Sequence, residues 1–258
     1  MVTMTGHREA QLLSAANLLL DARRTLTPIA DLPFELQPVS DEETFYIQDQ
    51  LMQAYGPVGG WKIGAGSLEA TPTYAPLPAA WVAPSGTQLA RHRFRGLESE
   101  IAFLLAADLP ARAEAYTDAE VYAAVGSCHP VIEVIESSLL LPTDPAVRAS
   151  KDADLQMHGG LIYGEAVADW QSIDFHTERV LLAIDGVVRH DATGANTSGN
   201  LLRLLPWLAN HAASRTGGLR AGQWVTTGSW TGCTTAPPSS TVDVRFDHCG
   251  SVSLRFVP

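Results

Sequence analysis

Apolar residues at positions 12, 13, 16, 19 and 20 recur at helical spacing, which predicts an amphipathic helix from about residue 7 to about residue 25. Ser40-Asp41-Glu42-Glu43 has the form of a capping box, in which the hydroxyl and the Glu carboxylate satisfy free amides, and predicts a helix opening there and running to about Tyr55. Thr117-Asp118-Ala119-Glu120 repeats that device. Between Tyr55 and Arg95 the stretches GPVGGWKIGAGS and TPTYAPLPAAWVAPSG are rich in Gly, Pro and Ala, and predict irregular backbone or short strands. From Leu97 onward the period changes to two. In RGLESEIAFLL, a strand puts Glu98, Glu100, Ala102 and Leu104 on one face and Ser99, Ile101, Phe103 and Leu105 on the other.

PVIEVIES, from Pro130, is short, β-branched and apolar except for its glutamates, as a buried strand would be. Asp185-Gly186 inside RVLLAIDGVV is a hairpin turn, because the glycine accepts positive φ. Val242, Val244 and Phe246 alternate, DHCG turns, and Val252, Leu254 and Phe256 alternate again. A helix from about Asn200 to Arg215 interrupts the strands, with Pro206 either kinking it or lying in its first turn. No repeat, low-complexity tract or linker divides the chain. The expectation is one α+β domain over residues 1–258, with a helical part over about 1–56 and a β-rich body over about 57–258.

At 258 residues the chain can bury a sizeable core, and 46% hydrophobic with 17% charged residues excludes disorder as its main state. A formal net charge of −11 argues against nucleic acid or an anionic membrane as partner, while a bound cation would still let the chain hold an anionic metabolite. Cys128, Cys233 and Cys249 form no C-x-x-C pair, so a reducing, cytoplasmic setting is the simpler expectation. LLSAANLLL is too short to span a bilayer and follows Arg8-Glu9 instead of a basic run, so it reads as helix and not as a signal.

The chemistry begins with Glu98 and Glu100. Two carboxylates side by side on one strand face repel, and turned inward they also carry a desolvation cost. Either a cation lies between them, with a third ligand elsewhere, or they line a solvated edge strand.

Five segments, GWKIGAGS, LESEIAFLL, HPVIEVIES, DADLQMHGGLIYG and LRAGQWVTTGSWTG, resemble in order and spacing the fumarylacetoacetate hydrolase superfamily. The likeness covers nearly the whole chain, and its short branch of 2-oxopent-4-enoate hydratases and oxalocrotonate-type decarboxylases is the nearest in pattern. The resemblance implies a mixed β-roll or sandwich body with N-terminal helices, at least a dimer, and a magnesium or manganese ion held by Glu98, Glu100 and Glu133. Three oxygen ligands suit such a hard cation and leave positions open for water or substrate. Glu136 is the alternative third ligand. A small-molecule 2-oxo acid is the implied partner, chelating through its carboxylate and its 2-oxo oxygen.

By the same resemblance Lys62 lies near the metal, to pair with the substrate carboxylate or to move a proton, and Ser229 in TTGSWTG binds that carboxylate with neighbouring amides. Thr227 and Thr231 are its alternatives. Asp154 stands where the branch has Asp-Asn, here followed by Leu155, and His158 could replace the lost polar group in proton transfer. His129 sits just before Pro130, at a strand entrance. Thr73 replaces an expected acidic residue and Ser138 an expected arginine, so the metal ligands are kept while the proton machinery is altered. Three activities follow: a lyase that hydrates or decarboxylates an unsaturated 2-oxo acid, a C–C hydrolase of acylpyruvate-like diketo acids, and a non-catalytic binder of 2-oxo acids.

Overall fold

The structure, a computed structural model, describes residues 5–90 and 92–258. In chain order the elements are α1 (Gly6–Thr25), α2 (Asp41–Tyr55), β1 (Val58–Gly64), β2 (Thr73–Pro78), β3 (Val82–Pro84), β4 (Thr87–Leu89), β5 (Gly96–Leu105), β6 (Leu109–Pro110), α3 (Asp118–Ala123) and β7 (Val125–Ile135). They continue with α4 (Arg148–Ala153), β8 (His158–Tyr163), β9 (Arg179–Ile184), β10 (Val187–Thr193), α5 (Leu204–Thr216), β11 (Gly218–Leu219), β12 (Trp224–Thr226), β13 (Thr234–Thr235), β14 (Thr241–Phe246) and β15 (Gly250–Phe256). No described helix is long and apolar enough to cross a membrane.

The larger sheet runs in the order β2, β1, β12, β5, β7, β8, β3, with β13 added beside β5. The second sheet runs β10, β9, β14, β15, β4. Alternation along the strands gives each sheet an apolar face, and the two faces meet in the main core. Ile101, Phe103, Ile132 and Val134 of the larger sheet pack there with Val180, Leu182, Val244, Phe246, Val252 and Leu254 of the other. The opposite face of the larger sheet carries a smaller cluster of Leu77, Ala102, Val131, Leu161 and Trp224. Beyond its edge, α1 and α2 close a third cluster, in which Leu12, Ala16, Leu19, Ile47 and Leu51 meet Leu139, Ala153 and Leu155.

The helix caps are locally encoded. Ser40 accepts from Glu43 N, yet the Glu43 carboxylate reaches Val39 N at 2.8 Å and Arg8 instead of closing the box on Ser40. Thr117 and Glu120 do close theirs at α3. Pro206 lies in the first turn of α5, where its missing N–H costs no hydrogen bond, so it does not kink the helix. Asp185 (φ 51°) and Gly186 (φ 76°) make the turn between β9 and β10.

In the Gly/Pro-rich region between α2 and Arg95 the short-strand alternative holds, with β1 to β4 there and Val58–Gly64 lying between β2 and β12. Other expectations are corrected. The strand expected from Pro130 begins at Val125, so His129 lies within it and not at its entrance. Proline is tolerated there because Pro130 faces the end of β8, where only its carbonyl is used, accepting from Gly164 N at 2.8 Å. His158 opens β8, a strand whose glycines concealed it in the sequence.

Candidate metal centre

β5 and β7 are antiparallel neighbours whose register sets Glu98 opposite Glu133 and Glu100 opposite Val131. The period of two and this register put all three glutamates on one face. Each offers a carboxylate oxygen within 4.8 Å of the others. Glu100 and Glu133 are buried, while Glu98 keeps a minor exposure and marks the open side of the cluster.

Two donors share one oxygen of Glu133. Lys62 Nζ lies 2.7 Å and His158 Nδ1 2.9 Å from its Oε1. The other oxygen, Oε2, is buried without a hydrogen-bond partner. Lys62 is also held by the carbonyl of Gln156 at 3.1 Å. Three successive left-handed residues, Leu155, Gln156 and Met157 (φ 51°, 50° and 65°), carry the chain from α4 into β8 and aim that carbonyl and the His158 ring. Such backbone costs on the order of 1–3 kcal/mol per residue unless its surroundings hold it, and Leu155 is fully buried among α1, α2 and α4.

Glu100 is supported from the glycine-rich segment after β12. Thr226 Oγ1 donates to its Oε2, and Gly228 N donates to the same oxygen at 3.0 Å. Gly228 has φ 88°, the left-handed backbone that favours glycine, and a Cβ there would also press on Thr197 Oγ1 at 3.3 Å. Ser229 follows, buried, with its hydroxyl accepting from Thr231 N at 3.3 Å. Thr227 is engaged elsewhere, donating to the Ile101 carbonyl at 2.6 Å, and Thr231 Oγ1 accepts from Ser99 N at 3.2 Å.

The electrostatics follow from packing three acids around one lysine. Burial pushes the Glu98 carboxyl up to about 7, with Glu133 adding to the rise and Lys62 and Lys151 opposing it. Burial, then the charges of Glu133 and Glu98, hold the Glu100 carboxyl well above the usual range. Burial opposes ionisation of Glu133 too, but the Lys62 ammonium and the His158 ring outweigh it and bring that carboxyl down to about 2. Burial dominates at His158 and lowers its pKa, so the ring is neutral near pH 7. A carboxylate only accepts, so Nδ1 carries the proton and Nε2 is left as a buried lone pair with no partner.

Asp154 is not part of this cluster. Its carboxylate accepts from Arg23 Nε (3.0 Å), Ser137 Oγ (3.0 Å), Ser138 N (2.7 Å) and Ser138 Oγ (3.0 Å), which braces α1 against the turn after β7. Glu136 also faces elsewhere, accepting from Phe94 N and Ser137 N. His129 donates from Nδ1 to the Gly164 carbonyl and accepts at Nε2 from Ser127, a satisfied pair of bonds within the strand. Two residues were missed in the sequence. Arg23 reaches the carbonyls of His158 (2.6 Å) and Glu136 (3.1 Å) as well as Asp154, and Trp81 stacks on His158 with ring centroids 5.9 Å apart. Arg23 interrupts an apolar helix face in its last turn, which was the available signal.

The donor set suits a hard divalent cation: three carboxylates, one with an unpaired buried oxygen, and mutual repulsion that a cation would cancel. Glu98, Glu100 and Glu133 would hold it.

No family model matches the chain. It is 32% identical over 138 residues to a 4-oxalocrotonate decarboxylase of Pseudomonas putida, a match spanning 54% of this chain and only about half (52%) of that protein. It is 26% identical to a 2-oxo-hept-4-ene-1,7-dioate hydratase of Escherichia coli over 94% of this chain and 96% of that one. Among solved structures, 4-oxalocrotonate decarboxylase from Pseudomonas putida G7, complexed with magnesium and adipate, superposes with a TM-score of 0.83 at 25% identity, covering 98% of this chain and 99% of its own. A 2-hydroxyhepta-2,4-diene-1,7-dioate isomerase from Mycobacterium marinum shares the fold over 78% of this chain and 76% of its own, at a TM-score of 0.58 and 14% identity. The resemblance to the fumarylacetoacetate hydrolase superfamily thus extends through the fold from end to end of the chain, which is similar along its length to a 4-oxalocrotonate decarboxylase and to a 2-oxo-hept-4-ene-1,7-dioate hydratase.

Proposed function

We propose that this chain is a divalent-metal-dependent lyase that hydrates or decarboxylates an unsaturated 2-oxo acid. The observation that carries the reading is the convergence of Glu98, Glu100 and Glu133 around an unpaired carboxylate oxygen. The decarboxylase that matches along its whole length was solved with magnesium in one case and calcium in another, which supports a hard divalent cation here; magnesium or manganese is the choice that the family resemblance implies. Bound there, the cation would supply Lewis acidity toward a chelating 2-oxo acid, drawing charge onto its oxygen.

The rest falls to the chain's own side chains. Lys62, tied to Glu133, faces the cluster with a fixed positive charge that orients the substrate carboxylate. Ser229 and the amides of its glycine-rich segment bind and orient the same carboxylate. The Nε2 lone pair of His158 holds or receives a proton at a carbon of the substrate, with the ring aimed by Glu133 and packed on Trp81. A second reading, C–C hydrolysis of a diketo acid, is favoured by that same lone pair, since a neutral buried imidazole is the base that water activation requires.

Calorimetric titration with oxalate, an enolate mimic, with and without magnesium, tests the site. Magnesium-dependent binding that disappears in Glu100→Gln supports it, and absence of binding with any divalent cation refutes it. Products then separate the reactions: added water, released carbon dioxide, or two acids.

A further inference from the structure

The carbonyls of Thr227, Gly228 and Ser229, in the glycine-rich segment after β12, are all held by one short stretch between β10 and α5. Asn196 Nδ2 donates to the Thr227 carbonyl at 3.1 Å and to the Gly228 carbonyl at 3.0 Å, and Thr197 N donates to the Ser229 carbonyl at 3.1 Å. The other side of the Asn196 amide is fixed as well: Ser198 N donates to its Oδ1 at 3.0 Å, and Ser198 Oγ donates to the same oxygen. A backbone N–H can only donate and a carbonyl can only accept, so the amide has one orientation. Asn196 is buried and Ser198 fully so, which keeps water from competing for these bonds.

The consequence lies at the opposite edge of the same peptide. A trans peptide is planar, with its C=O and N–H pointing in opposite directions, so holding one aims the other. The unit gripped at the Thr227 carbonyl carries Gly228 N, which donates to Glu100 Oε2 at 3.0 Å. Glycine has no side chain to restrain its own backbone, so that aim has to come from outside. Thr226 Oγ1 donates to the same Oε2, and with this oxygen engaged twice, Oε1 of Glu100 is the one left for a cation. Further along, Trp230 N donates to the Ser99 carbonyl at 2.8 Å, a bond to β5 in which Asn196 has no part.

We infer that Asn196 is a positioning residue of the metal centre: it holds the Thr227–Gly228 peptide so that the Gly228 amide turns the Glu100 carboxylate toward the cation. The inference rests on the reading of the cluster as a divalent-cation site. Partners that orient a ligand from outside contribute about 10–100-fold to metal affinity, and Asn196, acting through one peptide unit, belongs at the lower end of that range.

The test is calorimetric titration of magnesium into the metal-free full chain, as wild type, Asn196→Leu, Ser198→Ala and Asn210→Leu. Asn210 is the control. It grips Tyr116 from α5 in a similar way, its Oδ1 accepting from Tyr116 N at 2.7 Å and its Nδ2 donating to the Tyr116 carbonyl at 3.1 Å, with no bond to the cluster or to the glycine-rich segment. Asn196→Leu should weaken magnesium about tenfold and Ser198→Ala, which frees one side of the amide, about threefold, while Asn210→Leu stays within about twofold of wild type. Amide hydrogen exchange adds a readout that a general brace would not give: in Asn196→Leu the Gly228 amide should lose protection while the Trp230 amide keeps it. Unchanged magnesium affinity in Asn196→Leu overturns the inference. An equal loss in Asn210→Leu does the same, as does loss of protection at Gly228 and Trp230 together, which would make Asn196 a brace of the whole segment. Should Asn196→Leu fail to fold, Ser198→Ala decides, and wild-type affinity there overturns the inference. If the wild type binds no divalent cation, the metal-site reading itself fails and takes this inference with it; magnesium binding indifferent to Asn196 sinks the inference alone.

Discussion

Glu98 on β5 and Glu133 on β7 are direct cross-strand partners, and their environments drive them in opposite directions: Glu98 toward protonation, Glu133 toward the anion. Strand pairing sets the distance between them, so the repulsion cannot relax by moving side chains to solvent without giving up the sheet. Lys62 and His158 resolve it on one side only, at Glu133 Oε1. The cluster therefore answers to protons and to cations in predictable ways.

The first expectation concerns pH. Glu98, raised from 4.5 to about 7, favours its protonated form in the folded state, so its contribution to stability is full below 4.5 and is lost as pH rises toward 7. Glu100 has the same sign and extends the loss upward. His158 works oppositely below its ordinary 6.5, so metal-free melting curves mix the two signs there. The magnesium increment separates them, because the cation competes with protons only at the carboxylates. At a hundredfold excess over its dissociation constant a ligand stabilises by about 2.7 kcal/mol. That is about 5–10 °C for a chain of this size. Melting temperature with magnesium minus that with chelator should rise from pH 5.5 to 8; an increment flat over that range would exclude carboxylate competition.

Substituting the two partners should move metal-free stability in opposite directions. Glu98→Gln removes one repelling charge and should raise the melting temperature at pH 8, while weakening magnesium binding by at least about a hundredfold. Glu133→Gln strips the anion from buried Lys62 and His158 and should cost about 3–5 kcal/mol. Urea unfolding of both variants without metal checks this, and a shared sign would contradict the charge assignment.

Glu98 and Glu100 were legible in the sequence as a pair on one face, because a strand repeats every two residues, and their repulsion left a cation or a solvated edge as the choices; Glu133 came only from the family resemblance. The hairpins at Asp185-Gly186 and before Cys249, and the Thr117 cap, were readable for the same reason, since each depends on a few adjacent residues. Arg23 was not readable. Its partner Asp154 is 131 residues away, and only the packing of α1 against the body brings them together. Trp81 and the strand from His158 were hidden by neighbouring Pro and Gly, which weaken any local pattern but are tolerated where adjacent strands supply the hydrogen bonds.

Asp154 offers a direct comparison of a bracing role with a chemical one. With its carboxylate filled by Arg23, Ser137 and Ser138, Asp154→Ala should leave a buried guanidinium uncompensated and cost about 3–5 kcal/mol. The double variant Asp154→Leu with Arg23→Met should recover part of that loss. Chemical denaturation gives the stabilities and magnesium-oxalate titration the site. Normal stability with turnover abolished would instead move Asp154 into the chemistry.

His158 separates holding the site from using it. His158→Phe keeps a ring against Trp81 but removes the Nδ1 donor to Glu133 and the Nε2 lone pair. Losing a hydrogen bond to a charged partner should cost about 1.5–3 kcal/mol of stability. Magnesium-oxalate binding should stay within several-fold, because Lys62 still holds Glu133. Turnover should fall by about 10²–10⁴, the usual worth of a positioned acid or base. In the wild type the imidazole must be neutral to accept a proton, and burial lowers its pKa, so the acid limb assigned to it should lie below 6.5 and be absent in the variant. Turnover unchanged in His158→Phe would reduce the histidine to a brace for Glu133 and would remove the base on which the C–C hydrolase reading depends.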